Sequence, residues 1–268
     1  MKIGVIGCGV VGTATGEGLR TLGHELVCHD PKLNSTIDVV LSTDISFICV
    51  PSPSLPNGAC DTSIIEETVQ KLIDLSYTGV IAIKSTVAPG TTQRLIDQHQ
   101  NSNICFVPEF LRERSALEDF VSRHTVLAIG CTSDKVWDCL LLAHAQLPTH
   151  TARMSPTEAE ILKYYSNTFA ALKVTFANVM YEVCKKFNSD YDTILEAFLM
   201  RGITGSDYLG CNPEMRGYGG MCLPKDINAM TELCSQIGLP FKLFDTIARD
   251  NSLVAQTVFP GMRTEPKQ

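Results

Sequence analysis

No stretch of this 268-residue chain approaches the ~20 consecutive apolar residues that a bilayer-spanning helix needs, so no membrane partner is expected. Basic residues are in short supply: 22 Lys and Arg face 29 Asp and Glu, a formal net charge of −7. That balance speaks against a nucleic-acid surface but leaves an anionic small ligand open, because local donors hold such ligands. There is no C-x-x-C pair among the eleven cysteines, so no structural metal site is expected. Their odd count and scattered spacing argue equally against a secreted disulfide scaffold. Most sit in apolar runs such as Phe47-Ile48-Cys49-Val50, where cysteine acts as a small core residue. Residues 1–12 carry a lysine and small apolar residues, but Glu17 and Arg20 follow at once, which does not suit a signal peptide. A reducing cytoplasm is the expected location.

What is present is a globular composition, 44% apolar and 19% charged. At ~150 residues per domain, the length corresponds to about 1.8 domains. Up to about residue 150, β-rich runs at 2–6, 25–29, 44–50, 79–83, 103–107 and 125–129 alternate with helical stretches at 10–21, 63–76, 91–99 and 133–145. Such alternation predicts an α/β fold with a Rossmann-type, doubly wound parallel sheet over residues 1–153. Gly7-Cys8-Gly9-Val10-Val11-Gly12 stands between the first strand and the first helix. There Gly7 permits a tight turn, Gly9 a close approach of a pyrophosphate, and Gly12 tight helix–strand packing, with the helix N-terminus facing the phosphates. Asp30 ends the second strand, where a carboxylate accepts from ribose hydroxyls and repels a 2′-phosphate. NAD is therefore expected over NADP, a preference that neighbouring Lys32 weakens slightly. Three further loops follow strands directly: Val50-Pro51-Ser52-Pro53, residues 84–92 with Ser85 and Thr86, and Pro108-Glu109-Phe110-Leu111-Arg112-Glu113. Each alone reads as an ordinary connection; together they surround the expected cofactor mouth.

From Ser155 the character changes to an all-helical domain, expected over 154–258 with a polar tail at 259–268. Ser155-Pro156-Thr157-Glu158 reads as a capping box with proline at the first helical position. Apolar residues then recur at Ile161, Leu162, Tyr165, Phe169, Leu172, Phe176, Val179, Met180, Val183 and Phe187. They predict one helix of about 33 residues, on the order of 50 Å long, over 155–187. Such a helix exceeds what its own small domain covers, so a homodimer through it is expected. Lys163 and Asn167 share one face of it. They form either a solvated polar stripe or a pair at the substrate, where a cation and a directed amide stabilise a developing alkoxide. Further on, Pro224 is expected to open a helix to about 236, with Cys222 just before its N-terminus and Lys225 beside it. A helix start and a nearby cation favour thiolate, and the preceding glycines leave room for a substrate. A last helix is expected over 241–257.

These segments together resemble the UDP-glucose/GDP-mannose 6-dehydrogenase family over residues 1 to about 255. The likeness is carried by the glycine-rich turn with Asp30, Val50-Pro51-x-Pro53, Ser85-Thr86-Val87-x-x-Gly90-Thr91-Thr92, and Pro108-Glu109-Phe110-Leu111-x-Glu113. It continues in Ala159-Glu160-x-x-Lys163-x-x-x-Asn167 and Gly217-Tyr218-Gly219-Gly220-x-Cys222-Leu223-Pro224-Lys225-Asp226. The resemblance implies NAD-dependent oxidation of a nucleotide-sugar C6 alcohol to a carboxylate in two hydride transfers, with UDP-glucose the favoured substrate. It implies Cys222 as the nucleophile, through a thiohemiacetal and a thioester. Lys163 and Asn167 would stabilise the oxyanion, Asp226 and Thr86 hold a water for proton transfer, and Glu109 assist hydrolysis. Val50, Pro51, Ser85, Thr86 and Glu113 would line the cofactor; Glu109, Phe110, Leu111, Tyr218, Gly219 and Arg201 would join Lys163 and Asn167 at the substrate. The family's Arg-Ile pair reads here as Arg201-Gly202-Ile203, and Arg114 stands where glycine is usual. Family members continue into a third domain that holds much of the uridine diphosphate, whereas this sequence ends at Gln268. Two other readings remain: a two-domain 3-hydroxyacid-type dehydrogenase using Lys163 and Asn167, and a non-catalytic NAD-binding remnant.

Overall fold

The computed structural model describes residues 1–260 and Met262. Most of the expected polar tail, residue 261 and residues 263–268, lies outside the described residues. The chain divides into two compact units, the first comprising Met1–Leu55 and Cys60–Lys163, the second Pro56–Ala59 and the described residues from Tyr164 onward.

The first unit is built on seven strands: β1 (Lys2–Ile6), β2 (Glu25–His29), β3 (Ile45–Ile48), β4 (Val80–Ile83), β5 (Ile104–Phe106), β6 (Val126–Gly130) and β7 (His150–Met154). Their order in the sheet is β2-β1-β3-β4-β5-β6-β7. The chain leaves β1 for β2 on one side and then returns to β3 on the other, so the switch point lies between β1 and β3. Five helices belong wholly to this unit: α1 (Val10–Arg20), α2 (Ser63–Asp74), α3 (Thr91–His99), α4 (Ala116–Ser122) and α5 (Asp134–His144). Two apolar clusters cover the sheet, one around Phe47, Phe120 and Leu140 and one around Ile48, Ile65 and Phe106. The expectation of a wholly parallel sheet is corrected at one place, where β5 and β6 are antiparallel at Phe106 and Gly130. The connection there carries only a 3-10 turn at Glu113–Ser115 and the seven-residue α4. Phe120 on α4 fills the space over Gly18 of α1, where a Cβ would stand 2.2 Å from its ring, and the chain re-enters the sheet from the opposite end. The β7 strand was not anticipated, because His-Thr-Ala-Arg-Met lacks an apolar run; as the edge strand it pairs only with β6.

The long helix, α6, spans Pro156–Lys186 and is 31 residues long. Its capping box forms as expected: the Ser155 N–H and Oγ donate to Glu158 Oε2 at 2.7 and 2.8 Å, and the Glu158 N–H returns to Ser155 Oγ at 3.3 Å. The first unit runs through Lys163, ten residues past the expected boundary at 153. The opening turns of α6 are responsible. Ala159 joins the second apolar cluster, and a Cβ on Gly130 would lie 2.7 Å from Ala159 Cβ. Buried Glu160 accepts from the N–H groups of Gly90 and Thr92 at 2.6 and 2.7 Å, satisfying the start of α3. Burial nevertheless pushes its carboxyl above the usual range.

The second unit contains the rest of α6, α7 (Tyr191–Leu199), α8 (Cys222–Gln236) and α9 (Leu243–Asn251). It is not all-helical, since β8 (Gly217–Tyr218) and β9 (Gln256–Thr257) pair in parallel. The expected helix over 241–257 therefore stops at Asn251, and its last residues form β9. In this unit α6 buries Tyr164 and the small residues Ala170, Ala171, Ala177 and Cys184 and packs Leu172 and Met180 against the apolar clusters, while Tyr165, Phe169, Phe176, Val179 and Val183 stay exposed.

Three histidines cluster in the first unit, His144 fully buried and His24 and His124 half-buried beside it. The His144 and His124 rings meet edge to face at 5.8 Å, and His144 Nδ1 donates to the Leu140 carbonyl at 2.9 Å, while His24 bonds the neighbouring Ala143 carbonyl at 2.9 Å. Burial, reinforced by the Lys84 charge, lowers His144 to about 3 and His124 to about 4, from 6.5. Both are thus neutral in the fold, and only the unfolded chain takes up their protons below about pH 6.5. Stability is full above that pH and falls as the pH drops towards the folded values; at pH 5 His144 alone costs about 2 kcal/mol. Thermal melts are expected to show this loss between pH 7 and 5, and His144→Leu is expected to flatten the slope. An equal slope in that variant would assign the acid sensitivity elsewhere.

Candidate active site

The residues expected to hold a dinucleotide meet at the carboxyl ends of β1, β2, β3 and β4. Gly7 has φ +92°, and a Cβ there would stand 2.5 Å from the Cys49 carbonyl oxygen; a Cβ on Gly12 would stand 1.9 Å from the Gly7 carbonyl oxygen. A Cβ on Gly9, by contrast, would meet nothing within 4 Å. Gly7 and Gly12 are therefore required by the fold, and Gly9 leaves open space in front of α1, whose first turn has no side-chain cap. That combination fits a pyrophosphate approaching the helix N-terminus. Val10 and Val11 form the first turn. The Asp30 carboxylate accepts from the N–H groups of Cys8 at 2.8 Å and Lys32 at 2.9 Å. These bonds, that from Lys32 foremost, hold its carboxyl below the usual range, so it stays ionised. Asp30 thus braces the glycine-rich turn from the position where it would meet the ribose; the Lys32 side chain is exposed. Ser85 Oγ donates to the Val50 carbonyl at 2.7 Å and so ties the loop after β4 to the Val50-Pro51 loop after β3. Thr86 is half-buried beside it, and its carbonyl accepts from Cys60 Sγ at 3.3 Å. Glu113 begins the 3-10 turn after β5.

The buried Lys163 ammonium donates to both the Glu109 carboxylate and its main-chain carbonyl at 2.6 Å. The second carboxylate oxygen of Glu109 accepts from the Leu111 N–H at 2.8 Å. The Phe110 ring lies 5.9 Å from the ammonium, within reach of a cation–π attraction. Lys163 is therefore no solvated stripe; the first unit folds it inward as one half of a buried ion pair. Lys84, to which the sequence reading assigned no role, is also buried at the end of β4, with its ammonium 3.5 Å from the Val107 carbonyl. Burial lowers its pKa, while nearby Cys49 and Glu109 oppose that shift. Its position at a strand end, beside Ser85 and Thr86, was the available signal.

In the second unit, Asn167 Nδ2 donates to Asp226 Oδ2 at 2.6 Å, and Lys225 Nζ pairs with Asp226 Oδ1 at 2.9 Å. Asp226 is fully buried by these partners. Cys222 is the first residue of α8, one position inside the helix rather than before it, so Pro224 is its third residue. Cys222 is exposed and lies one helical turn from Asp226. Tyr218, expected at the substrate, instead packs its ring among Ala171, Ile227 and Ile247. Gly219 is closely packed, since a Cβ there would lie 3.0 Å from Val258 Cγ2. Arg201 is exposed on the turn after α7.

Residues 31–141 match the NAD binding domain of the UDP-glucose/GDP-mannose dehydrogenase family, and residues 157–252 match its central domain. The chain belongs to that family. The family's first domain makes NAD the cofactor of the first unit, in agreement with the open approach at Gly9. A UDP-glucose 6-dehydrogenase of Rhizobium meliloti is 30% identical over 302 residues, covering 94% of this chain and 67% of that protein. The solved UDP-glucose dehydrogenase of Pyrobaculum islandicum is 28% identical with a TM-score of 0.85, covering 94% of this chain and 68% of that one. The 3-hydroxyisobutyrate dehydrogenase of Mycobacterium tuberculosis, 13% identical with a TM-score of 0.69 over 94% of this chain and 92% of its own, shares the fold. The chain spans about two thirds of the length of the curated family members it matches.

Proposed function

We propose that this chain is an NAD-dependent nucleotide-sugar 6-dehydrogenase that oxidises a primary alcohol to a carboxylate, with UDP-glucose the favoured substrate. The observation that carries the reading is the hydrogen bond from Asn167 to Asp226. It joins the helix of Lys163 to the helix of Cys222, each partner one turn from the residue to which chemistry is assigned. Bound NAD supplies the hydride acceptor for both oxidations, held by the Gly7–Gly12 turn and Asp30. Lys163, its charge and position held by Glu109, and Asn167, oriented by Asp226, stabilise negative charge developing on the substrate oxygen. Cys222 acts at the aldehyde stage: its thiolate adds to the carbonyl carbon and gives a thiohemiacetal, and loss of hydride from that carbon gives a thioester. Water then attacks the thioester, releasing the carboxylate and the thiol. Thr86 and Asp226 serve proton transfer, and Glu109 assists hydrolysis.

Incubation with NAD and UDP-glucose is expected to give two NADH per uronate formed. Tight NAD binding without NADH from any nucleotide sugar would instead support a binding protein. Turnover of a small 3-hydroxy acid, indifferent to alkylation of Cys222, would move the assignment to the hydroxyacid dehydrogenases.

The reading includes a homodimer formed through α6, a helix about 46 Å long at ~1.5 Å per residue. It is supported by the exposed apolar stripe Tyr165, Phe169, Phe176, Val179, Val183 and Phe187, of which Tyr165 and Phe187 are 71% and 79% exposed. Light scattering is expected to give twice the chain mass at micromolar concentration; a strict monomer would overturn this part.

A further inference from the structure

The segment leading into Cys222 is gripped by one buried side chain. Asn251, the last residue of α9, accepts at Oδ1 from the Tyr218 N–H at 2.8 Å and donates from Nδ2 to the Tyr218 carbonyl at 2.9 Å. This is the paired hydrogen bond that an adjacent strand would make, supplied here by an amide. Only asparagine or glutamine carries both a donor and an acceptor in that arrangement. Tyr218 is paired with Thr257 of β9, and the Arg216 N–H donates to Thr257 Oγ1 at 2.8 Å. The amide sits where Gly217 makes room for it, since a Cβ there would lie 2.6 Å from Asn251 Oδ1. The Arg216 guanidinium is fastened in turn to Asn178 Oδ1 at 2.8 Å and Glu182 Oε1 at 2.6 Å, both on α6.

Between this grip and the thiol stand only Gly219, Gly220 and Met221. Gly220 has φ +78°, and neither glycine has a side chain with which to anchor itself. A two-residue strand has few ladder bonds of its own, so the register of β8 depends on what grips it.

We propose that Asn251 is a positioning residue for the Cys222 thiol, acting through the main chain of Tyr218 to fix where α8 begins. This rests on the reading of Cys222 as the nucleophile. Asn251 touches neither substrate nor cofactor in this role. Its loss leaves two buried main-chain groups unpaired and frees the glycine segment that carries the thiol.

The test uses the full chain with Asn251→Asp, which keeps the acceptor and loses the donor, and Gly217→Ala, which displaces the amide from the strand side. Circular dichroism melts establish folding. The rate of iodoacetamide alkylation at Cys222 is followed by peptide mass spectrometry across pH, and kcat and KM are measured separately. In both folded variants the alkylation profile of Cys222 is expected to shift, with the other cysteines unchanged. The kcat for acid formation is expected to fall ~10–100-fold, the scale of a misplaced reacting group, with the KM for NAD unchanged. An unaltered alkylation profile in either folded variant would overturn the proposal. Loss of the fold in both would also overturn it, by assigning Asn251 to general stability. If the wild-type chain forms no NADH, the functional reading fails, while the alkylation arm still judges the grip on Cys222.

Discussion

Replacing Cys222 by alanine is expected to reduce acid formation by at least ~10³-fold while NAD still binds. In the proposed mechanism the magnitude follows from losing the covalent nucleophile. Cys222 is exposed at the start of α8 and makes no disulfide, so the substitution removes a thiol without opening a cavity. The effect should be confined to the second oxidation, because the first needs only a hydride acceptor and stabilisation of the alkoxide by Lys163 and Asn167. Product analysis by mass spectrometry should therefore find aldehyde or its hydrate where the wild-type chain gives acid, and NADH per substrate should fall from two towards one. Acid formation at the wild-type rate would sink the covalent mechanism.

The second large effect is expected at Lys163, and on stability as well as rate. Lys163→Met leaves the Glu109 carboxylate buried without its cation, the side chains being 5% and 10% exposed in the pair. Breaking a buried pair from one side costs about 3–5 kcal/mol, because the remaining charge keeps its desolvation penalty. For a unit of this size that lowers the melting temperature by roughly 6–20 °C. Removing both charges, in Lys163→Met with Glu109→Gln, should recover most of the loss, since a neutral amide still accepts from the Leu111 N–H. Activity should stay absent in the double variant. A single variant as stable as the wild type, or a double variant no better than the single, would show that the pair does not carry this energy.

Much of the first unit was legible because its strands and helices are local patterns. Lys2–Ile6, Glu25–His29 and Thr91–His99 begin and end where apolar periodicity, turn glycines and caps place them. The capping box at Ser155 and Glu158 was equally local. What escaped was set by partners distant in sequence. The polar strand His150–Met154 exists because β6 offers it a ladder, and the antiparallel β5–β6 pair follows from where α4 docks. The helix expected over 241–257 ends at Asn251, whose amide is committed to Tyr218, 33 residues earlier.

The candidate site divides along the same line. Sequence by itself determined which residues are candidates for the chemistry, because glycine at a tight turn, proline within a helix's first turn and i, i+4 spacing are properties of short segments. It also determined the family, through the order of those segments. Only the tertiary structure decided their partnerships: Lys163 with Glu109 across 54 residues, Asn167 with Asp226 across 59, and Asp30 with the Cys8 N–H across 22. Charge and hydrogen-bond satisfaction depend on which groups share a desolvated volume, and that volume exists only after the chain has closed around it.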